Sequence, residues 1–231
     1  MTIQEMHYDF KKKLDKIDSE QNKNFIIPEI DWVLNEAQNL YIKMIAEPRV
    51  ANISYFENKQ RTIDDIRTIV KEDQPVVIQN DIITLPSDYM FHIRSYAYIS
   101  KGECKNKKAR LYIRKHEEEF QESPFDRSSF EWRTLNGVFN ERGIKFYTEE
   151  DFTVDKVEMS YIRKPILIHN AEDFRTGGYK LPSGKLLSGS VNCELPEHTH
   201  SEIVDLAVLL TSGEMMSDYK ANTAKVNLNL K

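Results

Sequence analysis

Apolar residues recur at helical spacing near both ends of the chain and alternate with polar ones through its middle. Ile3, Met6, Phe10, Leu14 and Ile17 fall three or four apart with Lys and Asp between them, which predicts an amphipathic helix. Thr2 and Glu5 have capping-box spacing at its start. The polar run Asp18 to Asn24 ends the pattern. A second helix is predicted from Pro28, which the first turn tolerates, with Glu29 and Asp31 near the positive end of its dipole. Ile30, Val33, Ala37, Tyr41 and Met44 form one face, and Trp32, Leu34, Leu40 and Ile45 widen it. So wide a stripe asks for cover from more than one neighbour. Pro48 lies past the end. A third helix is expected from Thr62 to Lys71, with Ile63, Ile66 and Val70 inward and Pro75 beyond.

The period then shortens to two. Val76 to Ile78 and Ile82 to Leu85 read as a hairpin across Gln79-Asn80-Asp81. Further strands are expected over Tyr89 to Ser100, Ala109 to Lys115, Trp132 to Phe139, Ile144 to Thr148 and Val154 to Ile168. His116 to Glu122 reads as a short helix or a loop. His169 to Leu195 holds Gly177, Gly178, Gly184 and Gly189 and reads as a long extended arm. A closing helix follows Leu195-Pro196-Glu197, with Ile203, Leu206, Ala207 and Leu210 on its face. The tail ends in the alternation Val226, Leu228, Leu230.

These elements predict an α+β fold: a helical bundle formed by the N- and C-terminal segments, with a β-rich, antiparallel central insertion. The expected divisions are a helical part over 1–74, the insertion over 75–168, the arm over 169–195, the closing helix over 196–216 and the extended tail over 217–231.

Composition fits a folded chain, with 40% hydrophobic and 30% charged residues among 231. The net charge of −5 argues against a general grip on nucleic-acid phosphates. The basic run Lys101 to Lys115 is interrupted by Leu111 and Ile113, so Arg110, Tyr112 and Arg114 read as the solvated face of a strand. Two distant cysteines, Cys104 and Cys193, do not make a disulfide scaffold, and no apolar run reaches the roughly 20 residues of a membrane span. The chain is therefore expected to fold in a reducing cytoplasm, away from membranes.

Catalytic signatures are sparse. Gly177-Gly178 is followed by Tyr179-Lys180-Leu181, not by the Lys-Ser/Thr of a phosphate loop. Leu187-Ser188-Gly189-Ser190 lacks the first glycine of a nucleophile elbow. Cys193, Glu194, Glu197, His198 and His200 are residue types that zinc accepts. However, His198 and His200 stand two apart, where helical side chains diverge. The expectation is a polar helix start, with no catalytic, cofactor or metal residues; a ligand-binding protein using 177–200 is the weaker alternative. Trp32 and Trp132 are expected as packing anchors.

Three stretches carry a family resemblance: the helix Pro28-Glu29-Ile30-Asp31-Trp32-Val33-Leu34-Asn35-Glu36-Ala37-Gln38, the turn Leu85-Pro86-Ser87-Asp88-Tyr89, and Leu195-Pro196-Glu197-His198-Thr199-His200. Together they resemble virion structural proteins of crAss-like bacteriophages. More broadly they are similar to the head-to-tail connector, or tail tubular, ring proteins of short-tailed phages. The resemblance implies a structural protein, not an enzyme, assembled in the host cytoplasm into a homo-oligomeric ring, commonly of twelve subunits, beneath the portal protein. Other tail proteins would be neighbours, and DNA would pass through the lumen at ejection without sequence-specific binding. A tail-tube, stopper or cargo role in the virion is the nearest alternative. Trp32, Tyr41, Tyr179, Val226, Leu228 and Leu230 are the expected interface residues.

Overall fold

The computed structural model describes residues 1–15, 25–46, 64–121 and 125–214. The chain divides into two compact units, one comprising Met1–Ile69 with Pro165–Lys231, the other Val70–Lys164.

The middle unit is dominated by one large sheet. Its strands are β1 (Val70–Val76), β2 (Ile78–Gln79), β3 (Ile82–Thr84), β4 (Tyr89–Lys101), β5 (Cys104–Arg114), β6 (Thr134–Asn140), β7 (Gly143–Tyr147) and β8 (Thr153–Arg163), with a four-residue helix, Glu118–Gln121, between β5 and β6. In the sheet the order is β1-β8-β4-β5-β6-β7-β3-β2. The two edge strands, β1 and β2, are separated in sequence only by Val77, whose carbonyl accepts the Thr84 N–H at 2.9 Å. The sheet is therefore nearly closed on itself. Most pairs are antiparallel, but β5 and β6 run parallel in register Leu111 with Leu135.

Alternation builds the interior. Ala97 and Ile99 of β4, Leu111 of β5, Leu135 of β6, Ile144 and Phe146 of β7, and Val157 and Met159 of β8 pack into one buried cluster. Gly137 faces that cluster because nothing larger fits: a Cβ there would lie 2.9 Å from Ile144 Cγ2. At the entry to β4, the Leu85-Pro86-Ser87-Asp88 stretch turns through the Tyr89 N–H to Pro86 carbonyl bond of 3.0 Å. Asp88 then accepts from Lys71 Nζ at 2.8 Å and from Tyr161 Oη at 2.9 Å, tying that turn to β1 and β8.

The expected helical bundle with an antiparallel insertion does not hold. The molecule is mostly a mixed eight-stranded sheet with a few helices. That sheet buries its own apolar cluster, and its parallel pair departs from the expected antiparallel pattern. The helix expected over Thr62 to Lys71 is short among the described residues: 64–66 are helical, Arg67–Ile69 is a 3-10 turn, and Val70 already pairs with Ile162 in the sheet.

The other unit holds α1 (Ile3–Asp15), α2 (Ile27–Ala46) and a later helix over His200–Glu214. Counting the four-residue helix Glu118–Gln121 as α3, that last helix is α4. The Thr2–Glu5 capping box forms in both directions: Thr2 N–H donates to Glu5 Oε2 at 2.8 Å and Glu5 N–H to Thr2 Oγ1 at 3.3 Å. Ile3, Met6, Phe10 and Leu14 are buried along α1, and α4 buries Ile203 to Val208 without a break. Both α1 and α2 pack on α4. The stretch expected as an extended arm carries β9 (His169–Asn170) paired with β12 (Ser190–Val191), and β10 (Gly178–Lys180) paired with β11 (Leu186–Ser188).

Candidate functional site

In α2 the positions 31, 34, 38, 41 and 42 follow helical spacing, and all five are buried. Asp31 thus enters the interior at 1% exposure. A buried carboxylate must find donors, and this one finds them on three elements. His7 Nε2 of α1 lies 2.7 Å from Oδ1. The Asn170 backbone N–H of β9 reaches both oxygens at 3.1 Å. Tyr179 Oη of β10 donates to Oδ2 at 2.7 Å. Three donors thus share its two oxygens and hold the carboxylate in one orientation. Burial first, and then Asp31, push the Tyr179 hydroxyl pKa up. One turn on, Asn35 clamps the Ile168 backbone from both sides: Nδ2 donates to its carbonyl at 2.7 Å and Oδ1 accepts its N–H at 2.9 Å. These bonds fix α2 against the 168–179 segment.

Trp32 follows Asp31 in sequence and therefore turns away from this anchored interior. It is 61% exposed. It borders an open hollow of about 820 Å³ within the same unit, where Leu40, Leu167, Leu181, Pro182 and Leu210 supply apolar wall. Tyr179 also lines the hollow while its hydroxyl holds Asp31. The unit thus presents an aromatic side chain and an apolar recess on a helix that cannot easily move.

Tyr41 lies elsewhere. It is buried at 6% exposure and donates to Asp65 Oδ2 at 3.3 Å. Burial chiefly, then the carboxylates of Glu202 and Asp65, push its hydroxyl pKa up. Of the expected interface residues, Trp32 and Tyr179 meet at the hollow, Tyr41 does not, and Val226, Leu228 and Leu230 lie outside the described residues. Trp32 and Trp132, expected as packing anchors, are exposed at 61% and 83%. Which side of a helix or turn faces outward depends on distant partners that local spacing does not name.

Cys193, His198 and His200 have separate surroundings. His198 Nε2 meets Asp65 Oδ1 at 2.7 Å. His200 has Nδ1 3.1 Å from the Met1 carbonyl and Nε2 2.8 Å from the Leu195 carbonyl. Cys193 is buried, and burial raises its thiol to about 11. Glu197 pairs with the N-terminal ammonium at 3.0 Å. Among the described residues, no three His, Cys, Asp or Glu side chains are grouped to hold a metal ion. No helix among them is long and apolar enough to cross a membrane.

The residue that sequence reading missed is Asp31. Its position near a helix start offered a dipole explanation. The stronger signal was its register with Leu34, Gln38 and Tyr41, which places it on the buried face. No protein-family model matches the chain, and no curated protein matches it either.

Proposed function

We propose that this chain is a structural subunit of a phage virion, whose copies close into a ring at the head-to-tail connector. Portal protein and other tail proteins would be its neighbours, and DNA would pass through the lumen. The observation that carries this reading is Trp32, 61% exposed beside an apolar hollow on a helix locked by Asp31 and Asn35. A large aromatic held rigidly at a surface loses little freedom on docking and gains most from being covered, which is the character of an interface anchor. The family resemblance adds support: its three stretches lie on α2, on the turn entering β4 and at the start of α4.

Mass photometry of the purified chain across rising concentration tests this. The expected result is a discrete multiple of the 27.1 kDa subunit, with Trp32→Ala needing at least tenfold more protein to reach it. A monomer at every concentration, or assembly indifferent to Trp32→Ala, would overturn the role given to this face.

A further inference from the structure

The outer face of the large sheet carries a concentration of cations that the net charge of −5 conceals. On β5, Ala109 and Leu111 point inward, so Lys108, Arg110, Tyr112 and Arg114 share the outer side. The register sets Tyr96 of β4 opposite Arg110, and Tyr98 opposite Lys108. On the far side of β4, Tyr96 faces Glu158 and Tyr98 faces Lys156 of β8. Beyond β5, Asn136 of β6 pairs with Tyr112 but is buried, its Nδ2 donating to the Asp126 carbonyl at 2.7 Å, and Lys145 and Tyr147 of β7 lie past it.

The tyrosines hold the cations in place. Lys108 Nζ lies 4.0 Å from the Tyr96 ring centre and Lys145 Nζ 4.6 Å from that of Tyr147. Arg110 stands 5.0 Å and Arg114 5.7 Å from Tyr112, and Lys156 stands 5.6 Å from Tyr98. Arg94 is 5.9 Å from Tyr96. Some of these charges are answered within the unit. Lys156 pairs with Glu158 at 2.6 Å, and Arg94 lies 3.9 Å from both Glu72 and Asp73. Arg114 Nε donates to Asn136 Oδ1 at 3.3 Å, and Glu117 accepts from Tyr147 Oη at 2.7 Å. Lys108, Arg110 and Lys145 are exposed and make no close ion pair among the described residues, though the charge of Lys108 also bears on Glu158 and Lys145 bonds the Tyr147 side chain.

We infer that this face binds the phosphate backbone of nucleic acid, without reading its sequence. The cations of β8, β4 and β5 lie on three neighbouring strands, a width of about 10 Å at roughly 4.8 Å per strand, and Lys145 of β7 stands beyond the buried Asn136. Acidic groups elsewhere on the chain that lie more than about 10 Å away are largely screened at ordinary ionic strength, so the local charge decides. A protein partner is the weaker fit. Protein interfaces gather apolar and aromatic surface at their centre and leave charge at the rim. Here the centre is itself charged, and the tyrosine faces are covered by Lys and Arg. Covered rings are also poor stacking platforms for bases, which favours contact to phosphate in a duplex. The inference does not rest on the ring proposal: a chain that fails to assemble could still bind DNA, and a ring could form without doing so.

Fluorescence anisotropy with a 30-base-pair duplex of arbitrary sequence tests it, starting at low salt. Three phosphate contacts imply that affinity falls about 40-fold between 50 and 200 mM salt. Removing these three charges together, with Lys108→Gln, Arg110→Gln and Lys145→Gln, is expected to abolish measurable binding. Lys108→Gln alone should lower the salt slope by about one contact. A control triple, Lys11→Gln, Lys12→Gln and Lys185→Gln, changes net charge equally at exposed positions of the other unit and should bind like the parent. Circular dichroism confirms that each variant is folded. The inference is overturned if the parent does not bind duplex, if both triples weaken binding equally, or if poly-glutamate displaces the duplex at equal charge concentration.

Discussion

His92 is half-buried in β4, with Nε2 2.9 Å from Ser95 Oγ. Burial lowers its pKa from 6.5 to about 4. The folded state therefore disfavours the imidazolium, and the unfolded chain takes up a proton first as pH falls. The stabilisation from keeping this ring neutral is complete above about pH 6.5 and is lost between there and pH 4. The shift corresponds to about 3 kcal/mol, which solvent screening of this half-buried ring reduces to on the order of 2 kcal/mol. Urea unfolding midpoints measured from pH 7 to 4 should fall less steeply for His92→Gln than for the parent. Equal slopes would show that His92 does not control this limb. At this scale the sequence was readable where the chemistry is local. Thr2 and Glu5 cap each other across three residues, and their identities alone announced it. Asp31 was not read, because its partners His7, Asn170 and Tyr179 come from distant segments. At Trp32, spacing alone does not separate an interface residue from a packing anchor.

Pairing between elements follows the same division. The alternation in Tyr89 to Ser100 and Val154 to Ile168 announced β4 and most of β8, and Ile78 with Ile83 forms the expected hairpin. What alternation cannot give is the partner. The parallel β5–β6 pair and the return of β1 to β8 are non-local, and they turn separate strands into a nearly closed sheet. The same β1–β8 pairing takes Val70 out of the helix that its spacing suggested. Gly143 begins β7 at φ +148°, and a Cβ there would lie 2.0 Å from the Ile83 carbonyl oxygen, against the strand it pairs with. Gly143→Ala should therefore separate β3 from β7 and cost a few kcal/mol, since backbone rather than a flexible side chain is in the way. Thermal unfolding checks this; an unchanged midpoint would mean that β3 shifts freely and contributes little to the sheet.

For the whole molecule, averages proved less informative than arrangement. A chain of net charge −5 carries five cations on the outer side of the adjacent strands β8, β4 and β5, because strands far apart in sequence align their outward residues. A helix that looked apolar on many sides keeps one aromatic exposed while the polar Asp31 is taken inside. Both features are surfaces set on rigid supports. In the proposed function, copies of this chain form a ring in the virion. Electron microscopy of intact virions, with this chain located in the density by its nearly closed eight-stranded sheet, tests that placement. The expected result is repeated copies around the tail axis at the head-to-tail junction, with Trp32 covered by the adjacent copy. Finding the chain only inside the capsid, as single unattached copies, or absent from the particle would contradict it.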